Sequence, residues 1–385
     1  MSNLKTALIG TGFMGRIHAE NLRRLGTVEI TALAGSNPER AREFGESIGV
    51  HRTTGDYKEL LEDASIDAVH ILTPNVLHYP MCRAALESGK HVLCEKPFTV
   101  SLEQARELVE LAARAGLANC IQHNLRYYPL VQQIRCMIEA GDLGEILIVQ
   151  GTYSQDWLLY DTDWNWRVQA AENGALRAMG DIGSHWMDMI QHVTGLAITE
   201  VCADLATFHS TRRRPRGSVE TFAGKQRGAN EFDRAAFENV PTDTEDFGSV
   251  LLRLGDRARG AFTVSQMSAG RKNMFTIDIY GTKAGVAWNQ ERPDELWIGQ
   301  RNVPNQIVIK DPALLYPQAA SYADLPGGHS EGYDDTHKQV FKRFYARVAD
   351  GSAPVEYPTF EDGLRGMRLL GKVEESAKKR GWVSV

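Results

Sequence analysis

Two clusters in this chain hold side chains able to move charge and protons. The first is Glu95-Lys96-Pro97, which closes the apolar run Val92-Leu93-Cys94. That run reads as a strand, so Lys96 falls at a strand mouth. An ammonium there can stabilise an alkoxide that forms as hydride leaves a carbinol carbon; the other reading is a surface Lys in an ordinary turn. Pro97 fixes the turn and can be cis. The second cluster is Gly180-Asp181-Ile182-Gly183-Ser184-His185-Trp186-Met187-Asp188. Asp181 and His185 stand four apart, on one face of a helix. An imidazole is the natural acceptor of a hydroxyl proton near neutral pH. Asp181 falls in the first turn, where the helix dipole favours a carboxylate. It can orient the imidazole or hold a second hydroxyl. The alternative is a helix cap followed by a core histidine. Asp188 and His192 continue the same face, but side chains spread from 181 to 192 are too far apart for one ion. No metal is expected.

The elements that must position these residues begin at the first glycines. Gly10, Gly12 and Gly15 complete G-x-G-x-x-G between the apolar run Ala7-Leu8-Ile9 and a helical stretch that starts near residue 14. Gly10 permits the tight turn, Gly12 lets backbone approach a diphosphate, and Gly15 lets helix pack on strand. The N–H groups at the helix start, from Phe13 and Met14 onward, then face the phosphates. Strands are predicted at 5–10, 28–34, 67–73, 91–94 and 117–122, alternating with helices at 14–25, 38–48, 57–63, 79–88 and 101–115. That alternation predicts a doubly wound parallel sheet, with ligands outside its carboxyl edge. Thr73-Pro74-Asn75 and Glu95-Lys96-Pro97 both end strands at that edge.

Beyond residue 123 the pattern changes to longer β-type runs at 145–153, 199–208, 247–254, 259–267, 274–280, 285–289 and 294–298. They predict a large open, mostly antiparallel sheet. Helices are expected at 129–140, 181–194, 334–349 and 361–380, and an extended surface loop at 209–243. The fold class is therefore α/β in two domains: a Rossmann domain at 1–122, and a substrate-binding and oligomerisation domain at 123–385. The last helix is free to pack back on the first domain.

Between 153 and 167, aromatic rings alternate with carboxylates and end in an Arg. Asp156, Trp157, Trp166 and Arg167 suit a sugar, whose C–H face stacks while its hydroxyls find partners; a packed loop with aromatic anchors is the alternative. Asn124 and Arg126, after the fifth strand, are candidate substrate contacts or caps of the helix that follows, and the glycine-flanked His329 is a candidate contact or a plain helix lead-in. Cys94 reads as a buried strand thiol. The second strand ends at Gly35-Ser36-Asn37 with no acid to grip a ribose 2′-hydroxyl. Gly35 and Ser36 leave room there, and Ser36 and Arg40 can meet a 2′-phosphate. The cofactor expected is NAD(P), with NADP or dual use favoured over NAD alone.

Bulk properties exclude several classes. A net charge of −6 gives nucleic acid little attraction, and the run Arg212-Arg213-Arg214-Pro215-Arg216 reads as a solvated loop. No apolar run reaches bilayer length, and the chain opens directly on a strand, so neither membrane nor signal peptide is expected. Five cysteines without short paired spacing fit a reducing cytoplasm rather than a zinc site or disulfide framework.

Taken together, the N-terminal G-x-G-x-x-G, Thr73-Pro74-Asn75 with His78, Glu95-Lys96-Pro97 and Asp181-Ile-Gly-Ser-His185 resemble the glucose–fructose oxidoreductase / inositol dehydrogenase (Gfo/Idh/MocA) family along nearly the whole chain. The resemblance implies NAD(P)-linked interconversion of a sugar or polyol hydroxyl and its keto form. It implies that Lys96 and Asp181 hold the substrate and that His185 is the general acid/base. Thr73, Asn75, His78, Glu95 and Lys96 fall where the family contacts the cofactor. A homodimer or homotetramer on the open sheet is implied as well. The segment Gly151–Trp157 looks like that of members acting on pyranosides or on anhydrosugars such as levoglucosan. Two other classes stay in play: a non-catalytic NAD(P)-binding regulator, and a metal-dependent hydrolase or isomerase on the Asp181–His192 face.

Overall fold

A computed structural model describes residues 4–216 and 237–385. The chain forms two compact units, Met1–Tyr127 with Gly332–Met367, and Tyr128–Glu331 with Arg368–Val385. The first opens with β1 (Leu4–Ile9), α1 (Phe13–Arg23), β2 (Val28–Ala34), α2 (Pro38–Ser47), β3 (Thr53–Thr54) and α3 (Lys58–Leu61). It continues with β4 (Ala68–Ile71), α4 (His78–Glu87), β5 (His91–Cys94), α5 (Leu102–Ala115) and β6 (Asn119–Ile121). All ladders are parallel, in the order β3-β2-β1-β4-β5-β6. This is the dinucleotide-binding order, which reverses between β1 and β4. The strands are short and apolar because helices cover both faces: Ala7, Ile9, Val69, Ile71, Val92 and Cys94 pack with Ala85, Leu86, Leu108 and Ala112 of α4 and α5. Side chains set the helix starts. Asn37 accepts the Arg40 N–H, Ser101 accepts the Gln104 N–H, and Gly116 ends α5 in the left-handed conformation.

The second unit holds α6 (Pro129–Glu139), β7 (Ile146–Ser154), α7 (Ala170–Asn173), α8 (Ser184–Thr194), β8 (Ile198–Ala206), β9 (Thr211–Pro215) and β10 (Phe237–Pro241). After them come β11 (Phe247–Leu254), β12 (Ala258–Ser265), β13 (Met274–Gly281), β14 (Gly285–Asn289), β15 (Glu295–Gly299), β16 (Gln306–Ile309) and α9 (Pro317–Ala320). With β17 (Val383–Ser384) they form a nine-stranded sheet, β16-β15-β14-β13-β7-β12-β11-β8-β17. Every pair is antiparallel except β12 with β7. One feature locks α8 to this sheet. A Cβ on Gly151 would stand 2.1 Å from the Thr276 carbonyl oxygen and 2.7 Å from Trp186 Nε1. Its absence lets the Trp186 indole lie across the strands, donate to Thr276 O at 3.1 Å and stack on Phe262.

At Gly332 the chain returns to the first unit with α10 (Tyr333–Ala349), whose Val340, Phe341 and Phe344 are fully buried. α11 (Phe360–Lys379) starts in that unit, with Phe360 against Phe98, and ends in the second, where Ser376 accepts the Ala203 N–H. Residues 332–367, which the sequence division places in 123–385, thus cluster with the Rossmann sheet.

The loop expected at 209–243 needs correction. Thr211–Pro215 and Phe237–Pro241 pair as an antiparallel two-stranded ribbon; residues 217–236 of that stretch lie outside the described residues. Nor is the arginine run a solvated loop. Arg212 is fully buried, pairs with Asp246 at 2.8 Å and donates to the carbonyls of Leu158, Tyr160 and Asp163. A guanidinium's five donors can satisfy that many acceptors at once, which makes its burial affordable.

Candidate active site

In the first unit, the carboxyl edge of the parallel sheet gathers the predicted cofactor residues. Gly10 has φ +131°, and a Cβ there would stand 2.6 Å from the Leu72 carbonyl oxygen. Gly12 caps α1 without a side-chain hydrogen bond, and nothing lies within 4 Å of where its Cβ would be. The first N–H groups of a helix have no intrahelical acceptor. The start of α1, with open space beside Gly12, therefore fits the diphosphate of a dinucleotide. At the end of β2, Ser36 and Arg40 are exposed, as a contact to the adenosine ribose requires. The space read beside Gly35 is absent: its Cβ position lies 2.7 Å from Thr11 Cγ2 and 3.2 Å from Ala41 Cβ. Gly35 is there to let the first turn and α2 close on each other.

Lys96 is half-buried after β5, its peptide to Pro97 is cis, and its N–H donates to Glu95 Oε2 at 3.3 Å. Two residues expected on the cofactor have other partners. His78 is fully buried, with Nδ1 2.9 Å from Pro97 O and Nε2 3.0 Å from Thr73 O. It ties together the loops after β4 and β5. Glu95 is buried and faces His18 Nε2 at 3.2 Å. Thr73 lies against Met81 Sδ, and Asn75 is buried at the start of a single 3-10 turn. Asn124 and Arg126 were expected to touch substrate. Asn124 donates to Thr336 Oγ1 at 2.8 Å, and Arg126 pairs with Asp362 at 2.9 Å, so both hold the first unit to its late segment. Cys94 is buried, which raises its thiol pKa and keeps it a core thiol.

In the second unit, Asp181 lies in a π-helical turn, Met179–Gly183, that runs directly into α8. Its Oδ2 accepts from Gln266 Nε2 at 2.8 Å, and its Oδ1 lies 3.5 Å from Arg167 Nε. Buried His185 is one helical turn on, with Tyr153 of β7 at 6.4 Å between ring centroids. Burial raises the Tyr153 phenol's pKa well above its ordinary value, and the Asp181 charge adds to the effect. The arrangement offers a carboxylate, an imidazole and a neutral phenol on one face, the equipment to hold a polyol and take a hydroxyl proton.

A buried ionic cluster supports this turn. Glu245 accepts the N–H groups of Arg177 and Met179 at 2.8 and 2.7 Å, and Asp246 pairs with both Arg177 and Arg212. Burial pushes the Glu245 carboxyl up to about 7, against those N–H groups and Arg177. Burial would also raise Asp246, but Arg177, Arg212 and backbone donors outweigh it and hold that carboxyl below its ordinary value. Tyr153 and Gln266 carry no motif. Tyr153 opens the 153–167 strip and lies within Gly151–Trp157 without being singled out there, and the signal for Gln266 was its place near the end of a predicted strand.

The aromatic strip divides. Trp157, expected to offer a ring face, is buried with Leu158 and Val168, and its N–H donates to Gln155 Oε1 at 2.8 Å. Gln155 in turn donates to Asn273, which bonds Tyr153. Trp166 is half-exposed, with the Arg167 guanidinium 4.4 Å above its ring. Asp156 pairs with Lys272 at 2.6 Å. His329 is exposed on a turn, where its carbonyl accepts from buried Lys310, partner of Glu331. His192 lies against Gln132 and Arg135 of α6. Among the described residues no three His, Cys, Asp or Glu side chains converge as metal ligands would. Among them, too, no helix is long and apolar enough to cross a membrane.

Residues 4–123 match the oxidoreductase family with an NAD-binding Rossmann fold, and residues 131–287 match the GFO/IDH/MocA C-terminal domain. The chain is 30% identical, over 100% of its length and 99% of the relative's, to levoglucosan dehydrogenase of Pseudarthrobacter phenanthrenivorans. A solved structure of levoglucosan dehydrogenase with NADH and L-sorbose superposes with a TM-score of 0.88 at 29% identity, covering 100% of this chain and 99% of that one. An inositol dehydrogenase homologue from Azotobacter vinelandii, complexed with NADH and myo-inositol, gives a TM-score of 0.86 at 26% identity, covering 100% and 98%. The chain belongs to the Gfo/Idh/MocA family of NAD-binding oxidoreductases. It is an enzyme, and its named relatives are sugar and polyol dehydrogenases.

Proposed function

We propose that this chain interconverts a secondary hydroxyl of a pyranose or glycoside and its keto form with NAD(P). The observation that carries the reading is the Asp181–His185 pair, one turn apart beside Tyr153, Gln266 and Arg167. Full-length likeness to levoglucosan dehydrogenase favours a pyranose-derived substrate. Backbone at Gly12, Phe13 and Met14, in a turn that Gly10 and Gly15 allow to close, would hold the dinucleotide's diphosphate, and Ser36 and Arg40 would meet its adenosine ribose. A bound nicotinamide supplies the two-electron acceptor. His185 takes the hydroxyl proton. Lys96 is the cation that would stabilise a developing alkoxide. Asp181, steadied by Gln266 and Arg167, accepts a neighbouring hydroxyl and so orients the ring. In the reductive direction His185 returns the proton.

No carboxylate ends β2, so we assign NADP or dual use ahead of NAD alone. The five free cysteines suit a reducing cytoplasm. A homodimer or homotetramer would cover the sheet face that exposes Ile148 and Leu251; light scattering that returns a monomer rejects it. Absorbance at 340 nm, followed with a panel of pyranoses, glycosides and inositols and both cofactors, tests the activity. Tight cofactor binding without turnover on any of them would make the chain a regulator instead.

A further inference from the structure

Four polar side chains lie buried behind the Glu95-Lys96 corner, and the reaction as derived uses none of them. Tyr345 OH lies 2.9 Å from His70 Nε2, His70 Nδ1 lies 2.8 Å from His18 Nδ1, and His18 Nε2 lies 3.2 Å from Glu95 Oε1. They come from α10, β4, α1 and the end of β5. His18 and His70 are fully buried, and Tyr345 and Glu95 nearly so. The other Glu95 oxygen accepts the Lys96 N–H. We propose that His18, His70 and Tyr345 are positioning residues, a one-way relay of hydrogen bonds that fixes Glu95 and, through it, the backbone of Lys96. The role rests on the assignment of Lys96 made above.

The direction of the relay follows from counting protons. A carboxylate only accepts, so His18 Nε2 carries a hydrogen and, in a neutral ring, His18 Nδ1 carries none. The short Nδ1 to Nδ1 contact takes one hydrogen, which must then sit on His70. His70 Nε2 is left as the acceptor of the Tyr345 O–H. Each ring has one allowed tautomer, and no bond can reverse unless Glu95 takes up a proton. The surroundings keep the rings neutral. Phe341 packs 4.8 Å from His18 and 5.1 Å from His70, Phe344 flanks His70, and His337 of α10 stands 5.8 Å from His18. Thr6 hydrogen-bonds Tyr345 and the Asp67 charge acts on it, while His78, Cys94 and Cys120 interact with the Glu95 charge at the other end. Burial depresses both imidazoles. Buried polar groups cost free energy unless paired, so aliphatic side chains would fill this space at less risk. What aliphatics cannot do is orient the carboxylate beside Lys96.

Nitrogen-15 side-chain NMR of the full chain tests the relay without any variant. Between pH 6 and 9, His18 should report as the Nε2–H tautomer and His70 as the Nδ1–H tautomer, neither titrating. Reversed tautomers, or a titrating ring, overturn the proposal. Kinetics test its purpose. Tyr345→Phe should lower kcat about five-fold, the value of one hydrogen bond, with sugar KM and cofactor Kd little changed. Glu95→Gln presents an amide N–H to one of two donors and should lower kcat more. If Lys96→Ala silences the enzyme while both variants keep wild-type kcat, the relay has no positioning role and the assignment of Lys96 stands. If Lys96→Ala keeps wild-type turnover, both fall.

Discussion

At the scale of single residues, the division of labour is open to direct attack. Lys96→Ala and His185→Ala should each lower turnover about 10²–10⁴-fold, the range for removing a charge stabiliser or general base. Cofactor binding, read by fluorescence titration of NAD(P)H, should survive the His185 change. Near wild-type turnover in His185→Ala would remove it from the mechanism. The cofactor preference turns on Ser36. Ser36→Asp puts a carboxylate where it can accept from ribose hydroxyls and repel a 2′-phosphate. The ratio of kcat/KM for NAD over NADP should therefore rise. The wild type should use NADP; no detectable NADP turnover beside NAD would mean that Arg40 and Ser36 give a 2′-phosphate no hold.

Between residues and the whole molecule, elements decide where side chains point, and here the sequence was legible in some places and silent in others. Period-two and helical patterns placed the Rossmann strands and helices to within a few residues, because each is short, apolar and bounded by Gly, Pro, Asn or Ser. The ribbon Thr211–Pro215 with Phe237–Pro241 was missed. Arginine is a poor strand signal, and Arg212 is buried only because Asp246 and three carbonyls meet it from distant positions. The ring of Trp157 was expected to face a ligand, since spacing cannot tell a ring that faces inward from one that faces out. Spacing alone suggested an Asp181–His185 face, yet the π-turn before α8 and its Glu245 support carried no signal. At this scale Gly151→Ala is the telling change. The new methyl collides with Thr276 O and Trp186 Nε1. Overpacking should cost about 1–3 kcal/mol, seen as a lower Tm, and by shifting Trp186 it should lower turnover through its neighbour His185. An unchanged Tm would mean that strand and indole part without cost.

For the whole molecule, the buried histidines set how folding stability depends on pH. Burial depresses His18 and His337 from 6.5 to about 3, and His70 moves the same way. In the unfolded chain these rings bind protons below about 6.5; in the folded chain His18 and His337 do not until about 3, and burial moves His70 down as well. The unfolded state therefore gains protons first as pH falls, and the stability present above pH 6.5 is lost progressively toward pH 3. Each ring contributes a slope of about 1.4 kcal/mol per pH unit. Glu245 works in the opposite sense. Raised from 4.5 to about 7, it binds its proton first in the folded state, so it adds stability as pH falls from 7 toward 4.5. One carboxyl cannot offset two or three rings of similar slope, so the histidines win. Urea unfolding should give a midpoint that falls steadily from pH 7 to pH 5. Glu245→Gln should steepen that fall, because it removes the opposing proton uptake of the carboxyl raised to about 7. A midpoint that holds level or rises over this range would mean that the rings accept protons inside the fold, and the neutral tautomer order behind Glu95 would fall with it.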